Sequence, residues 1–360
     1  MYFVKRIVLY GIIKFLIMIS YSIIRLSNKN SLKIGYSGPS VHDLFKSLES
    51  IIKEMNIDKL DIDIHYFTRE IEKELPISIN NINSFRINRL EYLKNIYVDA
   101  LLIDALFNQN TLVCTDKLPN SISPIIIHGL YEVLHINPRL IRDFIKRGYV
   151  KSILPIGLGS ILFSIRVFSG EFSRYNIRVY RDSFIHGPNP IHYNTAYLLY
   201  SIAYEVLSRT NKEKVIVKIG TGRGFSTLWL GIIAKHVNGI LYSYEIRRDR
   251  VEYARIAMKE LELSDNIEII YGDVLNEAKS LTHDVFILFI DALNTQYHLY
   301  LDIFDDKLQS GSVILAHNTI SNLHDTYKYL EKVYSNKYTS LTIANDPAGI
   351  TLTVKKCFSH

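Results

Sequence analysis

One stretch constrains the fold of this chain more than any other. The β-branched run Val215-Ile-Val-Lys-Ile219 stops at Gly220-Thr-Gly-Arg-Gly224, and an apolar helical pattern resumes at Phe225. A strand, a glycine-rich turn and a helix in that order form the first step of an open α/β sheet. Glycine admits positive φ and, having no Cβ, lets a ligand lie against the backbone. The helix that follows presents unpaired N–H groups to an anionic group.

The next segments keep the same rhythm. Gly239-Ile-Leu-Tyr-Ser-Tyr-Glu245 reads as a second strand that closes on an acid, placed where a carboxylate accepts both hydroxyls of a ribose. A helical pattern from Arg250 to Leu263 carries Val251, Ala254, Met258 and Leu261 on one face. A third strand, Ile267 to Tyr271, then runs into Gly272-Asp273, whose acid suits an adenine amine. Val285-Phe-Ile-Leu-Phe-Ile290 has no polar residue, as expected of a central parallel strand buried on both faces, and it ends at Asp291. Successive strands thus close on acids at one edge. A dinucleotide-binding Rossmann domain is the rival reading, but it usually carries Gly-x-Gly-x-x-Gly, whereas here Gly-x-Gly-x-Gly precedes Phe-Ser-Thr.

The order IGTGRGFSTLWL, YSYE, YGD, FIDALNTQY, LQSGSVILAHNT and a terminal hairpin in Tyr338 to Lys355 resembles the class I S-adenosylmethionine-dependent methyltransferases. Within them it is similar to the catechol and caffeoyl-CoA O-methyltransferases. The likeness runs from His192 to the C-terminus, about half of the chain. It implies a Rossmann-like seven-stranded sheet of order 3-2-1-4-5-7-6 with S-adenosylmethionine as cofactor. Gly220, Gly222 and Gly224 would cradle its methionine end, Ser226 would bind its carboxylate, Glu245 the ribose and Asp273 the adenine, and Asp291 would lie by the reactive methyl.

The departures from that family are also informative. Lys218 stands where the family usually has an acid, reversing the charge beneath the loop. In the metal-dependent branch an Asp and an Asp-Asn pair hold magnesium, whereas the matching positions here are Asp291, His317 and Asn318. Replacing a carboxylate by imidazole disfavours magnesium and leaves a softer divalent ion as the metal candidate. Asn294 occupies the place of that branch's catalytic lysine and takes no proton. His317 therefore has three readings: a general base beside Asp291, a metal ligand, or a strand-end histidine bonded to a neighbour.

The first half is read from pattern alone. Residues 2–26 carry one charge, Lys14, between Arg6 and Arg25, which is barely the length of a membrane span. An interfacial or weakly spanning anchor is preferred over a helix packed on the protein. After an apolar helix within residues 1–30, a second α/β domain is expected over residues 31–174. It has strands at Leu32 to Tyr36 and Leu60 to Phe67, a helix from Val41 to Met55, a loop over Asn80 to Asn88, and apolar segments at Tyr97 to Leu106, Ile125 to Gly129 and Ser152 to Gly157. His128-Gly129 and Pro155-Ile156-Gly157 faintly resemble two-lobed glycosyltransferases. Residues 175–194 are expected as a linker, followed by the methyltransferase domain at 195–360, and no internal repeat is evident.

Net charge +6 with basic and acidic residues intermixed argues against a nucleic-acid partner, although Arg247, Arg248 and Arg250 cluster as an RNA methyltransferase's would. Cys114 and Cys357 fit neither a disulfide framework nor a zinc site, so a reducing cytoplasmic setting is expected, with membrane association through residues 2–26. The expected function is O-methylation of a small-molecule, sugar or lipid-linked acceptor. The alternatives are RNA methylation, a glycosyltransferase-like two-domain protein, and a non-catalytic protein.

Overall fold

The computed structural model describes residues 2–27, 31–37, 41–57, 61–67, 82–87, 100–104, 125–128, 152–155, 160–164 and 172–357. The chain divides into two units, Met1–Val167 and Phe168–His360.

In the second unit, helices α3 (Phe172–His186) and α4 (Tyr193–Leu207) precede strand β8 (Val215–Ile219). The elements then alternate as α5 (Phe225–Val237), β9 (Ile240–Glu245), α6 (Arg248–Glu260), β10 (Ile267–Tyr271), α7 (Val274–Glu277), β11 (Val285–Ile290), α8 (Tyr297–Asp305), β12 (Leu308–His317) and α9 (Leu323–Val333), and the hairpin β13 (Tyr338–Ile343) and β14 (Ile350–Lys355) closes the chain. The sheet order β10-β9-β8-β11-β12-β14-β13 is the expected 3-2-1-4-5-7-6. All pairs are parallel except those made by β14. β11 is buried at every position, as its wholly apolar sequence requires. The segment expected as a linker is different. α3 and α4 occupy most of residues 175–194, and Val179 and Ile191 within that segment bury apolar side chains that a linker would leave in water.

The first unit holds α1 (Tyr2–Leu26), β1 (Ser31–Ser37), α2 (Val41–Met55), β2 (Asp61–Phe67), β3 (Ile82–Ile87), β4 (Ala100–Asp104), β5 (Ile125–His128), β6 (Ser152–Pro155) and β7 (Ser160–Ser164). Its order is β3-β2-β1-β4-β5-β7-β6, again parallel except for the pairs of β7. The two sheets therefore have one topology, and the expectation of no internal repeat is corrected at the level of fold. The segment expected as a loop over Asn80 to Asn88 contains β3, since pairing with β2 satisfies its backbone despite its polar side chains.

Helix α1 buries Ile13, Leu16, Ile17, Tyr21 and Ile24 almost completely. Lys14 is buried too, and its Nζ lies 2.6 Å from Glu54 on α2. Pairing within the protein, together with packing around the helix, is the arrangement of a core element. Among the described residues, no helix is long and apolar enough to cross a membrane. The described part of α1 thus packs within its own unit. Cys114 lies outside the described residues.

Candidate functional site

The C-terminal ends of β8, β9, β10 and β11 are drawn together by backbone hydrogen bonds. Gly220 and Thr221 N–H donate to Tyr244 C=O at 3.0 Å, Gly272 N–H to Glu245 C=O and Asp291 N–H to Ile219 C=O, each at 3.0 Å. In front of this edge lies a cavity of about 600 Å³, within the usual range for ligand sites. Gly220, Gly222, Ser226, Glu245, Asp273, Asp291 and Asn318 line it.

The glycine loop is built around its lack of side chains. Gly220, Gly222 and Gly224 have φ of +86°, +58° and +95°. A Cβ on Gly220 would run into the carbonyl oxygen of Asp291. Gly224 has another task than the one expected: it does not line the cavity, and a Cβ there would press on Met258 and Ala254 of α6. Glu245 braces the loop from β9, its Oε2 accepting from Gly222 N–H at 2.8 Å and its Oε1 from Arg247 N–H at 3.1 Å. Asp273 caps α7 by accepting from Leu275 N–H at 3.0 Å.

Lys218 does not reach water. It is wholly buried, and its ammonium donates to the Gly220 carbonyl beneath the loop. Burial pushes its pKa down to about 8, against the opposing charges of Asp291 and Glu245. A buried cation thus supports the floor that the resembled family supports with an acid.

His317 sits between two carboxylates. Nδ1 lies 3.2 Å from Asp291 and Nε2 3.4 Å from Asp346, and the imidazole is 8% exposed. Burial lowers its pKa, but hydrogen bonds and charges from Asp291 and Asp346 more than offset this, and the result is a rise to about 9. Asp346 also accepts from Thr195 Oγ1 on α4 and, at 2.9 Å each, from the N–H groups of Ala348 and Gly349. Burial raises the carboxyl of Asp291, yet bonding to His317 and the charges of His317 and Lys218 leave it below the ordinary carboxylate value.

These facts separate the readings of His317. Its pKa, raised to about 9, favours the protonated imidazole near neutral pH; it lies outside the lining of the cavity, and both nitrogens face carboxylates. A protonated imidazole is neither a base nor a metal ligand. Asn318, at φ +63°, points its amide toward Asn294 at 3.4 Å. In this arrangement both nitrogens of His317 are taken by carboxylates, and it offers none to a metal ion beside Asp291 and Asn318. Among the described residues, no group of three or more His, Cys, Asp or Glu is disposed to hold one.

Several participants carried no legible signal. Asp346 and Thr195 are distant in sequence from His317. Pro188, Asn189, Pro190 and Ile191, within the expected linker, form a wall of the cavity, held by Arg223 Nε donating to Gly187 C=O at 2.9 Å. The run Gly187-Pro-Asn-Pro190 marked a turn but not its location. The arginine cluster is internally paired: Arg247 with Asp249, Arg248 with Glu252, and Arg250 with Glu245.

Strand order and the glycine loop give the C-terminal unit a fold of the Rossmann-like methyltransferase type. Residues 217–319 match the methyltransferase domain family. The chain is similar to the catechol O-methyltransferase of Mycobacterium tuberculosis, 29% identical over 116 residues that make up 32% of this chain and 52% of that protein. It thus spans about half the length of the curated relative it matches. Among solved structures it is similar to the O-methyltransferase TomG of Streptomyces achromogenes, in complex with SAM, at 18% identity and TM-score 0.46, covering 51% of this chain and 91% of that one. An O-methyltransferase of Bacillus cereus in complex with SAH gives 16%, 0.45, 53% and 92% respectively.

Proposed function

We propose that the second unit is an S-adenosylmethionine-dependent methyltransferase acting on an oxygen of a small-molecule acceptor. The observation that carries this reading is the cavity at the ends of β8 to β11, floored by Gly220 and Gly222 and flanked by Glu245, Asp273 and Asp291. Gly222 and Ser226 would hold the amino-acid end of the cofactor, Glu245 the ribose and Asp273 the adenine. When bound, the cofactor supplies an activated methyl group on a sulfonium.

This chain's residues then have to orient the acceptor and manage one proton. Asp291 stays ionised and presents negative charge to the cavity. His317 keeps its own proton and so holds Asp291 in place instead of taking a proton from the acceptor. No histidine, lysine or cysteine is among the described residues lining the cavity. A site without such a base favours a hydroxyl that ionises readily, as a phenol or enol does. Leu293 and Ile246, exposed at the mouth, suit a flat apolar body on that acceptor.

Calorimetric titration with S-adenosylmethionine tests cofactor binding, and Glu245→Ala should weaken it about tenfold, the size expected when charged hydrogen bonds are lost. A panel of phenols and aliphatic alcohols, followed by S-adenosylhomocysteine release, tests the acceptor. Equal turnover of both classes would rule out the phenol preference.

A further inference from the structure

The two sheets can be laid on one another strand by strand, because a single row of paired residues crosses each. In the first unit the row is Ile87, Phe67, Ser37, Ile103, Ile127 and Ile161. In the second it is Ile270, Tyr244, Ile219, Ile290, Ala316 and Thr351. In the parallel strands of the second unit the residue after each row position falls at the edge where the cavity lies, and the residues at the same places in the sequence of the first unit are the informative ones.

Three of those residues are the same in both units. Gly38 follows Ser37 as Gly220 follows Ile219; Asp104 follows Ile103 as Asp291 follows Ile290; His128 follows Ile127 as His317 follows Ala316. Asp104 and His128 are themselves register partners across β4 and β5. The sequence around the acid also recurs, Ile103-Asp-Ala-Leu106 against Ile290-Asp-Ala-Leu293.

The positions that hold a cofactor in the second unit are different in the first. Thr68 follows Phe67 where Glu245 follows Tyr244, and Leu90 stands three residues after Ile87 where Asp273 stands three after Ile270. Between row and helix, Gly38-Pro-Ser40 replaces Gly220-Thr-Gly-Arg-Gly224, a connection shorter by two residues with only the first glycine kept. Pro39 brings no backbone donor, and neither Thr68 nor Leu90 supplies the carboxylate that Glu245 and Asp273 supply in the second unit.

We infer that this chain consists of two copies of one seven-stranded unit, of which the first keeps the glycine, aspartate and histidine of the sheet edge but takes no S-adenosylmethionine, so that the protein binds one cofactor per chain. This rests on the proposed cofactor site of the second unit.

The test is the stoichiometry of S-adenosylmethionine binding to the full-length protein, by calorimetry or equilibrium dialysis. One site per chain is expected, lost in Gly222→Arg, weakened about tenfold in Glu245→Ala, and unchanged in Thr68→Ala and Asp104→Asn. Glu245→Ala is the second variant in case arginine at the glycine loop prevents folding. Two sites, or one site that survives Gly222→Arg, would overturn the inference while leaving cofactor binding intact. No binding by the wild-type chain would overturn the proposed function and the inference together.

Discussion

At the scale of residues, charge burial governs this site. His317 carries a folded pKa of about 9 against an ordinary value of 6.5, so its contribution to stability is full below about pH 6.5 and is lost as the pH rises through about 9. Lys218 acts in the opposite sense: its pKa falls from 10.5 to about 8, so it costs stability below about pH 8, and the cost is relieved toward pH 10.5. The two slopes overlap, and only a difference between proteins separates them. Urea unfolding of His317→Asn across pH 6 to 10 should show a lower stability than wild type at neutral pH, with the gap closing as the pH approaches about 9. A gap constant with pH would contradict the protonated state. Lys218→Glu would set a third carboxylate near Asp291 and Glu245 and should destabilise the unit. Lys218→Met removes the buried cation instead, and should raise affinity for the cationic S-adenosylmethionine several-fold relative to the neutral thioether S-adenosylhomocysteine. An unchanged ratio of the two affinities would show that the lysine's charge does not reach the ligand.

At the scale of elements, α1 and the glycine loop make separable predictions. Because α1 supplies buried side chains on several faces, a chain beginning at Ser31 should aggregate, and the full-length protein should not float with lipid vesicles. A soluble truncated protein, or flotation abolished by the truncation, would favour the anchor reading. Gly220→Ala should cost roughly 1–3 kcal/mol from backbone strain alone, with more from the collision with Asp291, and thermal unfolding reads it directly. The same elements explain what was legible. In the second unit the markers are local: glycines after β8, acids after β9, β10 and β11, and a run of six apolar residues in β11, so order and spacing sufficed to lay out the sheet. In the first unit β3 reads Ile-Asn-Ser-Phe-Arg-Ile, without alternation strong enough to mark a strand, and Thr68 and Leu90 stand at the places of Glu245 and Asp273. Its likeness to the second unit resides in pairing register, which joins residues far apart in sequence. The tie of Asp346 and Thr195 to His317 was hidden for the same reason.

At the scale of the whole molecule, the chain holds two sheets of one topology but only one described glycine-lined cavity between strand-end acids. A ligand that binds the native state alone stabilises it by about 2.7 kcal/mol at a hundredfold excess over its dissociation constant. S-adenosylmethionine should therefore delay thermal unfolding of the second unit, followed through Trp229, the chain's single tryptophan, and Gly222→Arg should abolish the delay. No shift of the Trp229 transition would exclude a cofactor site there. The shared topology has a further consequence for survival of the protein when cofactor is scarce. With the one cofactor site inferred for the second unit, only that unit would gain protection with supply, so limited proteolysis at low cofactor should spare fragments of the first unit and degrade the second.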